Sequence, residues 1–165
     1  MENFTEIYKR YKLMIYRYFL YLTTSDYLAE ELTQETFYQV YVSYGEFKGG
    51  SSISTWIIAI ARRVYLKYLR QDKKQLTLEN GLDEVCAAID GLPEVILDNK
   101  EFRKEILDTL QLLPEIYRSV IILREIEERS FEEIAAVLGK SPSSIRVILH
   151  RAKKRFRELF NAKIG

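Results

Sequence analysis

Residues 129–156 read RSFEEIAAVLGKSPSSIRVILHRAKKRF, and this stretch contains the clearest fold signal in the chain. Ser130 and Glu133 have the spacing of a capping box, which predicts a short helix that Gly139 ends. Ser141 and Pro142 are typical of a helix start, so a longer helix is expected to follow. A short helix, a glycine-containing turn and a longer helix together predict a helix-turn-helix.

The longer helix is predicted to have an apolar side and a basic side. From Lys140 to Lys163, eight basic residues and one acidic residue give a net charge of +7. The outward side carries Ser143, Ser144, Arg146, Val147, His150, Arg151 and Lys154. Such a helix can lie in the major groove of DNA, with its first residues at base edges and its later cations at phosphates. The alternative is a solvated basic surface helix, but the capped short helix and the turn before it favour DNA binding.

Composition excludes several other classes of protein. The 165 residues are 47% hydrophobic and include only 7 Gly and 3 Pro, so a disordered or fibrous chain is excluded. Cys86 is the only cysteine and His150 the only histidine, which rules out a disulfide framework, a Cys/His zinc site and a Cys–His catalytic pair within one chain. We therefore expect no catalytic residues, no metal and no cofactor. No apolar run suits a membrane span or a signal peptide, so we expect a cytoplasmic protein without membrane insertion.

Charge is segregated along the chain and predicts two domains with a linker between them. Residues 1–74 carry eleven basic and eight acidic residues, a net charge of +3. Residues 75–99 carry six acidic residues and no Lys or Arg, and residues 100–165 have a net charge of +4. The middle segment is too long for a loop inside one domain. We expect an all-α fold with small helical domains at 1–74 and 100–165, a flexible acidic linker at 75–99, and an inert Cys86 in the linker.

The N-terminal block is predicted to form three helices. Apolar residues recur every three or four positions between Phe4 and Leu22, which indicates an amphipathic first helix. A second helix should run from Ser25 or Asp26 to about Tyr44, with acidic and amide side chains next to an apolar edge. A glycine-rich loop at 45–52 should precede a third helix that ends near Arg70.

The third helix is predicted to carry a cationic row beside its tryptophan. At about 100° per residue, Arg63, Lys67 and Arg70 all lie within about 40° of Trp56. An aromatic side chain next to a row of cations can stack on a base while the cations bind phosphates. The alternative is a core tryptophan, since Trp is often buried.

The C-terminal block is predicted to begin with two further helices. Apolar spacing indicates one helix up to Leu113 and another from Pro114 to about Glu127. The helix-turn-helix follows them.

Three segments together resemble a known family. AEELTQETFYQVY (29–41), EFKGGSSISTWIIAIARR (46–63) and LPEIYRSVIILREIEERSFEEIAAVLGKSPSSIRVILHRAKKRF (113–156) are similar, in this order and spacing, to RNA polymerase sigma factors of the extracytoplasmic-function (ECF) type. The resemblance covers almost all of the chain apart from the linker and the last few residues. It implies two helical domains joined by a flexible linker.

The resemblance assigns a role to each surface. It implies that the second helix binds the clamp helices of the polymerase beta-prime subunit through Glu31, Leu32, Gln34, Glu35 and Phe37. It implies recognition and melting of the minus-ten element, for which the candidates are Phe47, Lys48, Ser51, Ser52, Trp56, Arg63, Lys67 and Arg70. It places the last helix in the major groove of the minus-thirty-five element. The expected contacts are Ser143, Ser144, Arg146, His150, Arg151 and Lys154.

Two positions depart from the family pattern. The family usually has Ile-Ala-Arg-Asn with an acidic residue four positions later, whereas this chain has Arg63 in place of the Asn and Lys67 in place of the acid. The Asn helps to shape the base pocket, so the identity of the captured base is open. A stronger phosphate contribution is expected here.

The expected function is therefore transcription initiation together with RNA polymerase core enzyme, through its beta-prime and beta subunits. The family is commonly held inactive by an anti-sigma factor, often membrane-anchored, and such a partner is expected here too. One alternative is a stand-alone helix-turn-helix regulator that binds an operator as a dimer. Another is a helical protein-interaction module that does not bind DNA.

Overall fold

The fold is all-α, as the sequence predicts. A computed structural model describes residues 2–71 and 100–164, and these residues contain no strand. Their helices, in chain order, are α1 (Phe4–Thr23), α2 (Asp26–Ser43), α3 (Ile53–Gln71), α4 (Lys100–Leu112), α5 (Glu115–Ile121), α6 (Phe131–Leu138) and α7 (Pro142–Ile164). Helices α1–α3 are called the N-terminal unit and helices α4–α7 the C-terminal unit. The predicted linker at 75–99 and Cys86 lie outside the described residues.

Short polar side chains fix where the helices begin. The Ser25 hydroxyl accepts the amide of Leu28 at 3.2 Å and starts α2, and the Ser52 hydroxyl accepts the amide of Thr55 at 3.2 Å and starts α3. Ser130 and Glu133 form the predicted capping box at the start of α6. The starts of α2 and α6 expected from the sequence are therefore confirmed.

The predicted end of α6 and the predicted start of α7, which bound the turn between them, are also confirmed. Gly139 has a φ of 67° and ends α6 in the left-handed conformation, which glycine adopts without steric cost. The Ser141 hydroxyl accepts the amide of Ser144 at 3.2 Å, and α7 begins at Pro142. This turn holds α7 against α6, and the outward side of α7 faces solvent.

The helix after Pro114 differs from the expected one. Pro114 is the N-cap rather than the first helical residue, and the α-helix ends at Ile121. It continues as a π-helical turn, Ile122–Ile126, closed by a 3.0 Å hydrogen bond from the Glu127 amide to the Ile122 carbonyl. Apolar spacing does not distinguish the two helix types over one turn, because a π turn adds only one residue.

A single hydrophobic core includes residues of both units. In the first part of α1 the buried side chains, such as Ile7 and Ile15, follow one stripe. From Arg17 to Leu22 every residue of α1 is buried. Residues on all sides of a helix are buried only when it packs against partners on all sides, and here α1 contacts α2 and α3 as well as α4 and the π turn.

Candidate nucleic-acid and polymerase interfaces

The outward face of α7 is arranged as a recognition helix requires. Ile145, Leu149 and Ala152 are buried against the rest of the C-terminal unit. The predicted minus-thirty-five contacts are all exposed on the opposite side: Ser143, Ser144, Arg146, His150, Arg151 and Lys154. The face therefore presents hydroxyls near the helix start and cations along its length, which is the order that base edges and phosphates need.

Val147 lies in the middle of this face and is 48% exposed. At about 100° per residue it lies between Lys154 and Arg151. An exposed apolar side chain among cations is suited to contact a thymine methyl group in the major groove. Sequence reasoning placed Val147 on the outward side and gave it no role, because a lone apolar residue among charges carries no motif.

A second residue without an assigned role, Phe131, contacts Arg146 of α7. The guanidinium carbons of Arg124 and Arg146 each lie 4.3 Å from the centroid of the Phe131 ring. When a guanidinium group stacks on a ring, the N–H groups on the edge of the guanidinium remain free for hydrogen bonds. Phe131 thus restricts the conformations of Arg146 in advance of binding. The sequence gives little indication of this contact, because Phe131 and Arg146 are 15 positions apart.

The loop before α3 gathers an aromatic cluster. The ring of Trp56 lies 5.0 Å from that of Phe47 and 6.3 Å from that of Tyr44, measured between centroids. Trp56 is half-buried, so it has both a packing role and an accessible surface. An accessible aromatic side chain held by other rings is a suitable platform for an unstacked base.

The polar residues of this loop divide into two roles. The Ser52 side chain is exposed, but its hydroxyl caps α3 and bonds the Thr55 hydroxyl at 2.9 Å. Lys48 is exposed and Ser51 is half-buried. The structure therefore gives Ser52 a structural role in addition to the predicted DNA contact.

The cationic row on α3 is exposed as predicted. Arg63, Lys67 and Arg70 all face solvent next to the half-buried Trp56. The preceding residue, Arg62, is buried and forms a bidentate ion pair with Glu115 of α5. The two adjacent arginines thus have different roles, since only Arg63 is available to a phosphate.

The pKa values of Arg62 and Glu115 are both shifted in their ion pair. Burial favours the neutral form of Glu115, but hydrogen bonds from Arg62 and Ser119 outweigh that effect and lower the carboxyl pKa. Burial likewise opposes the charge of Arg62, and the Glu115 hydrogen bonds outweigh it and raise the guanidinium pKa. Burial raises the pKa of the adjacent Tyr18 hydroxyl. Both members of the pair are therefore held in their charged forms.

The predicted polymerase surface on α2 needs a correction. Glu31, Gln34 and Glu35 are exposed on one side of the helix. Leu32 and Phe37 are only 5% and 2% exposed, because they pack into the core of the N-terminal unit beneath that side. They position the helix and cannot contact a partner directly in this conformation.

Exposed tyrosines lie on the same side of α2 as Glu31, Gln34 and Glu35. Tyr38 and Tyr41 are 61% and 65% exposed, and Val42 and Tyr27 are exposed as well. Aromatic residues are enriched at protein interfaces, because they supply large contact area with a polar end. The exposed side of α2, from Tyr27 to Val42, is called the α2 face. The sequence did not single out these tyrosines because most tyrosines of this block lie on predicted core stripes.

No helix within 2–71 and 100–164 has the length and apolar character to cross a bilayer. The same residues contain no group of three or more His, Cys, Asp or Glu side chains that could hold a metal ion.

Comparison with known proteins gives the same family over both units. Residues 7–75 match the family Sigma-70 region 2 and residues 103–156 match the family Sigma-70, region 4, which together span more than half of the chain. RNA polymerase sigma factor YlaC of Bacillus subtilis (strain 168) is 31% identical over 156 residues, 92% of this chain and 88% of that protein. ECF RNA polymerase sigma factor SigX of the same organism is 30% identical over 167 residues, 95% of this chain and 83% of that protein.

A solved structure has the same fold. It is the co-crystal structure of the sigma factor RpoE in complex with the anti-sigma factor NepR from Bartonella quintana. It aligns with a TM-score of 0.75 at 20% identity and covers 98% of both chains. With both sigma-70 regions matched in order and relatives aligned along most of its length, the chain belongs to the ECF RNA polymerase sigma factors, transcription initiation factors that bind RNA polymerase core enzyme and promoter DNA.

Proposed function

We propose that residues 1–74 bind core polymerase and the minus-ten element, and that residues 100–165 bind the minus-thirty-five element, with 75–99 as a linker. The outward face of α7 supports this most directly, because all six predicted contacts on it are exposed. In this proposal the chain recognises DNA and promotes strand opening without catalytic residues of its own. Captured bases stack at Trp56 while Arg63, Lys67 and Arg70 bind the backbone.

We infer that the α2 face docks on the polymerase beta-prime subunit. Glu31, Gln34 and Glu35 offer acceptors and an amide to the partner, and Tyr38 and Tyr41 offer apolar contact area. The buried Leu32 and Phe37 hold α2 in place by packing into the core of the N-terminal unit. The α2 face therefore keeps Glu31, Gln34 and Glu35 from the five expected residues, leaves out the buried Leu32 and Phe37, and adds the exposed tyrosines.

The first prediction concerns core binding. Replacing Gln34 and Glu35 together with alanine is expected to weaken binding to core polymerase about tenfold or more, since hydrogen bonds involving charged groups contribute about 1.5–3 kcal/mol. Fluorescence anisotropy of the labelled chain titrated with core enzyme measures this. A control in which Glu158 and Asn161 become alanine removes the same two chemical groups from exposed positions at the end of α7. Equal affinities for both variants would refute docking through the α2 face.

We also propose regulation by an anti-sigma factor that covers the α2 face. The solved relative in complex with the anti-sigma factor NepR supports this proposal. The exposed tyrosines Tyr38 and Tyr41 provide apolar area for such a partner. The chain would then act in the cytoplasm and be held at the membrane where its anti-sigma factor is membrane-anchored.

The second prediction concerns Phe131. Phe131→Leu keeps an apolar side chain but removes the ring, and it is expected to weaken minus-thirty-five binding about two- to fivefold, because an exposed cation–π contact contributes about 0.5–1 kcal/mol. Phe131→Tyr keeps the ring and should bind as the wild type does. Anisotropy with holoenzyme and a labelled promoter fragment measures both. If the Leu variant bound as tightly as the Tyr variant, Phe131 would have no part in ordering Arg146.

A further inference from the structure

The outward face of α7 continues past the predicted minus-thirty-five contacts. Those contacts end at Lys154, whereas α7 runs on to Ile164. At about 100° per residue, Arg157 lies within about 20° of His150 around the helix and two turns further along it. Arg157 is exposed. The outward face is therefore longer than the sequence-based prediction, and its last cation has no assigned role.

The seven cations of α7 differ in whether a carboxylate neutralises them. Three of them form ion pairs: Lys153–Glu125, Arg155–Glu158, Lys163–Glu105 and Lys163–Asp108. The other four are exposed and form no ion pair within residues 2–71 and 100–164: Arg146, Arg151, Lys154 and Arg157. Arg157 therefore resembles the three predicted cationic contacts, and its full charge is available to an anion.

The acidic residue next to Arg157 in the sequence does not neutralise it. Arg155 Nη1 donates to Glu158 Oε2 at 3.3 Å, so the only carboxylate of α7 is already paired. At about 100° per residue, Arg155 lies about 160° from Arg157 around the helix. The pair of Arg155 and Glu158 therefore forms away from the line that carries His150 and Arg157.

The position of Arg157 along α7 favours a phosphate over a base edge. With a rise of about 1.5 Å per residue, the segment from Ser143 to His150 spans about 10 Å, and Arg157 lies about 10 Å further on. The major groove is about 12 Å wide and is bordered by the two phosphate backbones. When the first residues of a recognition helix contact base edges, a residue this far along lies at the border of the groove. A guanidinium group there can bind a phosphate through two parallel hydrogen bonds.

We propose that Arg157 binds a backbone phosphate at the border of the minus-thirty-five element. The contact rests on the proposed function, because it requires α7 to lie in the major groove. It adds affinity without base preference, since the phosphate is the same at every base pair. Because it neutralises one phosphate, it contributes about 0.9 to the slope of log K against log salt concentration.

The test compares two neighbouring arginines in holoenzyme bound to a labelled promoter fragment. Arg157→Gln is expected to make the salt slope shallower by about 0.9, so its loss of affinity is about 3.5-fold larger at 50 mM than at 200 mM salt. Arg155→Gln removes the same charge two positions away and should leave the slope unchanged, because that guanidinium is paired with Glu158. Both side chains are exposed, so both variants should keep the fold. Anisotropy titrations at several salt concentrations measure the slopes.

A scan of the DNA identifies the phosphate. Each phosphate in and next to the minus-thirty-five element is replaced in turn by an uncharged methylphosphonate. One replacement should weaken binding by the wild type and by Arg155→Gln but not by Arg157→Gln, because the two partners of one contact are not lost twice. The same phosphate should be identified when the neighbouring base pair is changed, since the contact reads no base.

The outcomes distinguish failure of this contact from failure of the proposed function. Equal salt slopes for the wild type and Arg157→Gln, or a scan without a coupled phosphate, would overturn the contact. Weaker binding of Arg157→Gln to core polymerase without DNA would assign Arg157 to an acidic protein surface and also overturn it. If the triple alanine variant of Arg146, Arg151 and Lys154 bound the promoter as the wild type does, the proposed role of α7 would fail as well.

Discussion

Replacing Arg146, Arg151 and Lys154 together with alanine is expected to weaken holoenzyme binding to minus-thirty-five DNA by on the order of 100-fold, because a bidentate base contact contributes about 1–3 kcal/mol and each lost phosphate contact adds to that. All three side chains are exposed on the outward face of α7, so their removal leaves the core intact. If two of the three bind phosphates, the salt dependence of log K should become shallower by about 1.8. Anisotropy titrations at several salt concentrations measure both quantities.

A charge-matched control excludes a general electrostatic effect. Lys9, Lys12 and Lys100 are exposed on α1 and α4 and do not belong to the outward face of α7. Changing these three to alanine removes the same charge and should alter promoter binding less than threefold, since exposed charges beyond about 10 Å are largely screened. Similar losses in the two triple variants would contradict recognition by α7.

Replacing Trp56 with alanine is expected to reduce promoter opening about 10- to 100-fold, because stacking on an aromatic side chain contributes about 1–3 kcal/mol per base. Trp56 is held by Phe47 at 5.0 Å and Tyr44 at 6.3 Å, so the substitution also removes packing. Fluorescence of 2-aminopurine placed at the captured base reports strand opening, and a thermal melt reports the stability of the variant.

Two comparison variants separate stacking from packing. Trp56→Phe retains an aromatic face and is expected to recover most of the opening. Phe102→Ala removes an exposed aromatic contact with Phe160 in the C-terminal unit and should leave opening unchanged. If Trp56→Ala opened the promoter normally in a folded chain, Trp56 would be a core residue only.

The sequence predicts the features of this fold that depend on near neighbours. The caps at Ser25 and Ser130 and the helix end at Gly139 involve residues at most four positions apart, and the structure confirms them. The outward face of α7 follows from one strong amphipathic pattern, in which the apolar and basic sides differ clearly. Local chemistry therefore predicts most helices and one of the candidate surfaces.

The α2 face was only partly predictable. The aromatic residues of α2 lie within about 100° of one another around the helix, yet Phe37 is buried and the neighbouring Tyr38 is exposed. Phenylalanine and tyrosine contribute similarly to a periodicity pattern, although only tyrosine carries a hydroxyl that favours solvent. Burial of Leu32 depends on where α1 and α3 contact α2, and that information is tertiary.

The contacts between the units were not predictable from the sequence. Arg17 forms an ion pair with Glu127, which is 110 positions away, and Arg62 forms one with Glu115, which is 53 positions away. Charged residues are usually exposed, so each would be assigned to solvent from its own segment alone. Pairing across residues 72–99 depends on how the two units pack, which no spacing rule describes.

Run-off transcription with purified bacterial core polymerase tests the central claim most directly. A pool of promoter fragments from the source genome is transcribed with and without the chain. Specific transcripts are expected only when the chain is present, and they should disappear when Gln34 and Glu35 become alanine. Absence of transcripts, combined with tight sequence-specific DNA binding by the chain alone, would contradict the account and indicate a stand-alone helix-turn-helix regulator.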